Sequence, residues 1–303
     1  MTVAATPWPK QLVSDWAATR DTFQLYTQVV GKICMARTPL VNHWWNVALY
    51  VTSRGLTTSH IPYEPGRGFQ IDFDLLGHEL SIVTTDDATR TLALRPRSVA
   101  DFYTSVMEML DSLGLPVEIW TTPVEIPGPT LPFEKDHEHA SYDAVQVTTF
   151  WRILSDSQRV FEQFRSQYVG KASPVHLFWG ALDLAVSRFS GRGAPPHPGG
   201  APNCGPHVMH EAYSHEVCSA GYWPGPDGEG AFYSYVYPEP AGYRDTPVRP
   251  ATARFDDALG EFILPYTDVR TAADPDAVLM EFLQTTYEAA ADAAHWDREH
   301  LER

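Results

Sequence analysis

Apolar positions along this chain recur with two periods, and the periods change over in a regular order. Residues 14–30 carry Trp16, Phe23, Tyr26 and Val30 at near-helical spacing, with Ser14 as candidate N-cap and Gly31 as candidate stop. Residues 98–113 repeat the pattern. Ser98-x-x-Asp101 is a capping box with Asp in place of Glu, Phe102, Val106, Met109, Leu110 and Leu113 form the stripe, and Gly114 ends it. Between these helices the period falls to two. NVALYVTSRGL, GFQIDFDLL, ELSIVTT and RTLALR read as strands, GHE and DDATR as turns, and VEIWTTPVEI (117–126) as a further extended segment.

The second half follows the same order. Helical patterning spans 142–169, ALDLAVSRF, EVCSAGYW, AFYSYVY and GEFILPY read as strands, and a last helix opens at Asp274-Pro275, a cap followed by a proline suited to the first turn. Strands grouped between helices predict an α+β fold with antiparallel sheets. Short strings also recur in order: YTQVVGK (26–32) with RSQYVGK (165–171), Trp45 with Trp179, Ser53-Arg54 with Ser187-Arg188, and VMEML (106–110) with LMEFL (279–283). The spacing between matches widens after Arg188, which places extra residues there. The expectation is an internal duplication arranged as a pseudo-dimer with a cleft between its halves. Residues 1–126 form the first α+β repeat, 127–140 a Pro-rich connector, and 141–303 the second repeat, carrying an inserted His/Pro/Gly-rich loop at 191–213.

Composition narrows the function classes. The 303 residues carry a net charge of −16, which disfavours nucleic acid and anionic membranes as partners. No apolar run approaches the ~20 residues needed to span a bilayer. The N-terminal residues lack the basic and apolar regions of a signal peptide, and three cysteines without CxxC spacing suit a reduced compartment. The expected location is cytoplasmic; the oligomeric state is left open.

The segments VNHWWNVALYVTSRGLTTS, LRPRSVADFY, HASYD, SPVHLFWGALDLAVSRFSGR, HPGG and EAYSHE resemble an uncharacterised bacterial family known by a domain-of-unknown-function label, number 5996. The resemblance runs from about Trp8 to Trp296 and implies no activity. It implies that histidine is typical at His43, His139, His176, His197 and His215, but not at His207 or His210.

Seven of the twelve histidines lie between His137 and His215, which is where proton transfer or metal binding is expected. In PHVMHEAYSHEV, His207, Glu211 and His215 share one face if the segment is helical, and an extended stretch would destroy that alignment. With His197 they make candidate ligands (His197, His215, Glu211) for a divalent metal, zinc or iron. The spacing is not H-E-x-x-H. In a strand over 181–189, Asp183 points opposite Leu182, Leu184 and Val186 and needs a partner, for which Arg188, Arg192 and His176 are the candidates. Candidate catalytic groups are therefore His176, His215, Glu216 and Asp183. Asn42, His43, Arg54, Trp179, Arg188 and Trp223 are candidate substrate-binding groups. Nucleotide-cofactor and nucleophile-elbow motifs are absent. The reading is a small-molecule enzyme, hydrolase or oxidoreductase undecided, that uses a His/carboxylate site in a cleft partly covered by the 191–213 loop. The rival is a non-catalytic protein that binds a small molecule in the same aromatic cleft.

Overall fold

The structure is a computed structural model that describes residues 7–225 and 227–303. Its class is α+β, with two antiparallel sheets of six strands each. In the first half, α1 (Val13–Arg37) leads into β1 (Tyr50–Val51), β2 (Gly55–Thr57), β3 (Ile61–Glu64), β4 (Arg67–Asp74), β5 (Glu79–Thr84) and β6 (Thr89–Ala93), closed by α2 (Val99–Ser112). The second half runs α3 (Ala144–Ser166), β7 (His176–Phe178), β8 (Asp183–Gly193), α4 (Pro206–Ala212), β9 (His215–Trp223), β10 (Ala231–Tyr237), β11 (Arg254–Asp256) and β12 (Glu261–Pro265). It ends with α5 (Tyr266–Arg270), α6 (Pro275–Ala293) and α7 (Arg298–Leu301).

Spatial order in the first sheet is β1-β2-β4-β5-β6 with β3 also on β4, and in the second β11-β12-β10-β9-β8-β7. Leu49 and Leu177 exchange both backbone hydrogen bonds (3.0 and 2.7 Å), so one bridge joins the sheets edge to edge. A single apolar core runs through both halves. In it Tyr26 stacks on Phe102 at 3.9 Å, Trp16 meets Phe150, and Phe161 meets Phe232.

Caps read from the sequence hold at two helices. Ser98 Oγ accepts from Asp101 N at 3.0 Å, and Asp274 Oδ1 accepts from Ala277 N at 3.0 Å. Elsewhere the ends move. The helix expected from Ser14 to Gly31 begins at Val13 and continues to Arg37. Gly31 stops nothing, because its role is spatial: a Cβ there would stand 2.0 Å from Trp179 Nε1. The segment 117–126 joins neither sheet. Pro116 and Pro123 lack the N–H a ladder needs, and Val117 and Val124 are buried without strand pairing. The repeated strings do not all occupy equivalent places. YTQVVGK lies within α1 whereas RSQYVGK runs off the end of α3, and Ser53-Arg54 is a turn where Ser187-Arg188 is mid-strand.

The second sheet has two unlike faces. Leu184 and Val186 of β8, Tyr222 of β9, Phe232 of β10 and Leu264 of β12 are essentially sealed, on the side where α3 and α6 pack. Alternation turns Asp183, Ala185, Ser187, Ser219, Tyr233 and Glu261 the other way. Pairing sets Ala185 opposite Gly221 and Gly221 opposite Tyr233, with Ser187 opposite Ser219 and Ser219 opposite Tyr235. The middle of this face is thus paved with small side chains, and it cannot fill the space above it.

Gly31 supplies the first test of this architecture. Intrinsic helix propensity favours alanine there by about 1 kcal/mol, but the added methyl must displace the Trp179 indole. Overpacking costs about 1–3 kcal/mol. Gly31→Ala is expected to lower stability in urea unfolding, and an increase would show that Trp179 yields without cost.

Candidate functional site

Above the small-residue floor lies a cavity of about 560 Å³. β7, β8, β9, β10 and β12 supply its base. α1, the one-turn segment Asn42–Trp44 and residues 120–125 supply the far wall, and residues 201–213 cover it. Five of the nine tryptophans, Trp44, Trp45, Trp120, Trp179 and Trp223, line it, so the walls are largely aromatic. A volume of this size suits a small organic molecule.

The cover is attached at defined points. Trp44 Nε1 donates to Val208 O at 2.9 Å, and His43 N donates to Glu211 Oε1 at 3.1 Å. The His43 ring donates from Nδ1 to Ala212 O at 2.9 Å, which leaves Nε2 to accept from Lys171 Nζ at 2.7 Å. That arrangement needs a neutral ring. Burial, with Lys171 and His215 nearby, holds the His43 pKa below its ordinary value. On the opposite side Glu125 N donates to Pro202 O at 2.8 Å and Asn203 Nδ2 donates to Pro123 O at 2.9 Å. His43, Trp44, Glu125 and Asn203 all have φ between 55° and 61°, a conformation costly for side chains larger than glycine. Leu182, with φ 59°, immediately precedes Asp183.

Three carboxyl groups face the cavity: Glu125, Asp183 and Glu261. Asp183 accepts a hydrogen bond from the Tyr233 hydroxyl. Two glycines make room for this set. A Cβ at Gly180 would stand 2.3 Å from Glu125 Oε1, and one at Gly221 would stand 2.5 Å from the Tyr233 hydroxyl. Glu125 is exposed and Glu261 half-buried, yet protein atoms crowd both carboxyl groups, and the charge of Asp183 lies close to both. Burial first, then Asp183, pushes each up to about 7. Burial raises Asp183 to about 6, and the Tyr233 hydroxyl opposes the rise because it favours the ionised form. Among the described residues no hydrogen-bond donor or opposite charge stabilises either glutamate carboxylate. Lys32 is buried at the far wall, donating to Trp120 O at 3.0 Å and Thr122 O at 2.5 Å, and burial lowers its pKa to about 8.

A scan against protein-family models matches residues 8–303 to a family of unknown function, DUF5996. The chain belongs to that family. No curated protein and no solved structure matches the chain. For this family member no helix among the described residues is long and apolar enough to cross a membrane.

The sequence-derived candidates divide sharply. Asp183, His43, Trp179 and Trp223 line the cavity. Asp183 has Tyr233 as its partner in place of the expected Arg188, Arg192 or His176. His176 is sealed beside the floor, with Nδ1 on Pro174 O at 2.6 Å and Nε2 unpartnered, and burial lowers its pKa to about 4. Arg188 is buried between Phe164 and Tyr287 on the helix side of the sheet. Glu216 pairs with Arg192 at 2.7 Å, and Arg54 pairs with Asp74 at 2.7 Å on the first sheet. Asn42 is exposed next to His43.

The metal set does not assemble. α4 ends at Ala212 and His215 begins β9, so His207, Glu211 and His215 share no helix face. Glu211 is turned to His43 N, and His197 stacks on Tyr213 at 4.5 Å. Among the described residues no three His, Cys, Asp or Glu side chains are grouped to hold a metal ion. Reading the sequence missed Glu125, Glu261, Lys32 and Tyr213, whereas Tyr233 and Tyr235, expected as aromatic walls, do line the cavity. Glu261 carried a usable signal, since it continues the alternation of GEFILPY, whereas Glu125 carried none.

The raised carboxyl pKa values fix a sign. Between about pH 4 and 7 the folded protein holds protons that the unfolded chain has already shed, so these groups make stability fall as pH rises and keep it lowered above pH 7. Glu125→Gln and Glu261→Gln are expected to raise the melting temperature at pH 8, on the order of 2–4 °C each, and to change nothing at pH 4. Comparison with the parent protein at each pH removes the opposite contribution of buried His176. A melting temperature at pH 8 that stays level or drops refutes the assignment.

Proposed function

We propose that the protein is an enzyme that moves a proton on a small organic molecule held in this cavity, with Asp183 as base and Glu125 as acid. The observation that carries the reading is the unequal environment of neighbouring carboxyl groups. Asp183, hydrogen-bonded by Tyr233, ionises first, while burial and then the charge of Asp183 let Glu125 keep its proton to about pH 7. Acid and base forms then coexist near neutrality, which is the condition general acid–base catalysis requires. Glu261 is the reserve proton donor on the other side of Asp183. The glycine gaps at 180 and 221 and the left-handed backbone at Glu125 and Leu182 support the same reading, since strain and lost side-chain volume are tolerated where positioning matters.

In this mechanism Asp183 accepts the proton, Tyr233 stabilises the carboxylate before the step and orients it, and Glu125 delivers a proton to the far side of the bound molecule. The aromatic walls exclude water and strengthen each charge interaction. No step runs through a metal, because His197, His215 and Glu211 do not converge. A binding protein that uses the same walls without turnover is the rival, and the test below separates the two.

Turnover is sought by screening a compound collection, then measured against pH. A bell-shaped kcat/KM profile is expected, with limbs near pH 6 and 7. Asp183→Asn should lower kcat/KM by about 100-fold or more. Tyr233→Phe should move the acidic limb upward, because Asp183 loses the donor that favours its charge. A flat profile, or full activity in Asp183→Asn, overturns the proposal. Ligands that stabilise the fold without any reaction favour the binding protein.

A further inference from the structure

The proposed chemistry leaves the substrate open, but the charge and shape of the cavity constrain it. Exposed Glu125 and half-buried Glu261 line the cavity, and among the described residues neither carboxyl group has a hydrogen-bond donor. An ionised carboxylate removed from water without a partner is costly, and natural sites supply the partner from elsewhere. Cations are scarce on this wall. Lys32 is committed to two backbone carbonyls, His43 is held neutral between Ala212 O and Lys171, and His207 sits at the exposed rim on α4. Cys204 and the tyrosines at 213, 233 and 235 have pKa values raised by burial, so they carry no charge near neutrality. Asp256, paired with Glu261 across β11 and β12, adds further negative potential.

The remaining wall is aromatic, and aromatic faces attract cations through the ring quadrupole. Within this chain Lys32 Nζ already lies 4.4 Å from the centre of the Trp120 ring. An anion would meet ionised Asp183 and, above about pH 7, two further like charges, and a neutral apolar molecule would leave two carboxyl groups unanswered.

We infer that the cavity takes an organic cation, an amine or quaternary ammonium group on an apolar body, whose charged nitrogen sits among Glu125, Asp183 and Glu261. This deepens the acid–base reading and rests on the same site. The cation supplies the partner the glutamates lack, and the Trp and Tyr rings hold its apolar part. A nearby positive charge favours the ionised form, so the bound cation takes the place of the proton on the reserve donor Glu261, while Glu125 keeps its own for the step. Affinity therefore rises with pH through the range in which Glu261 titrates.

Three probes that share a phenyl body test the inference: phenethylamine, phenethyl alcohol and phenylacetate. Binding is followed by quenching of the cavity tryptophans and by calorimetry, at pH 5 and pH 8. The amine is expected to bind about tenfold or more tighter than the alcohol at pH 8. It should lose most of that advantage at pH 5 in the unaltered protein and at pH 8 in the Glu125→Gln, Glu261→Gln double variant. Phenylacetate should bind weakest. Equal or tighter binding of the alcohol or the carboxylate overturns the inference, as does an amine affinity that does not change with pH. Failure of all three probes to bind at about 1 mM also overturns it. The carboxyl titrations, read directly by carbon NMR without any ligand, then decide separately whether the acid–base reading stands.

Discussion

Small side chains at the centre of one sheet face govern the rest of this molecule. Ala185, Ser187, Ser219 and Gly221 lie on neighbouring strands of a sheet whose opposite face is filled by Leu184, Val186, Tyr222 and Phe232. Two packed helices press on the large-residue side, so the sheet is held flat against its core. The other side has too little volume to close, and whatever reaches over it must form walls. α1, the Asn42–Trp44 turn and the 201–213 cover do so, and the cavity is the space they leave.

Once that hollow exists, polar groups at its edge are forced into an intermediate medium. They are open to the cavity yet bounded by protein, and the charge of Asp183 adds to burial in raising the pKa of both glutamates. Tyr233 relieves Asp183, and among the described residues no group relieves the other two. Such an arrangement lowers stability in the folded state, and a large continuous core offsets it. The glycines at 31, 180 and 221 belong to the same design. Each removes a side chain where Trp179, Glu125 or Tyr233 must pass close to backbone.

Part of the histidine-rich stretch forms the cover of the cavity. Its hydrogen bonds to His43 and Trp44 are made largely by backbone groups and Glu211, and they dock α4 over the cavity. Histidines 197 and 215 serve this region by stacking and local hydrogen bonding.

What the sequence alone determined is local. The α+β class, the longer strands of both sheets, the caps at Ser98 and Asp274, and the orientation of Asp183 away from Leu184 follow from period and capping chemistry, which act over a few residues; the short strands β3, β7 and β11 and the break between β1 and β2 do not. The placement of Trp179 and Trp223 on the wall needed the strand register as well. Tertiary structure alone decided the rest. Glu125 comes from an irregular segment and is brought near Asp183 by bonds distant in sequence, Gln28 of α1 joining Val124 to Gly180. Gly31 looks like a helix stop until Trp179 arrives beside it. His215 left the helix face of His207 because its backbone pairs with Gly193. Contacts between residues distant in sequence have no period along the chain, so the convergence of carboxyl groups was not legible before the fold was known.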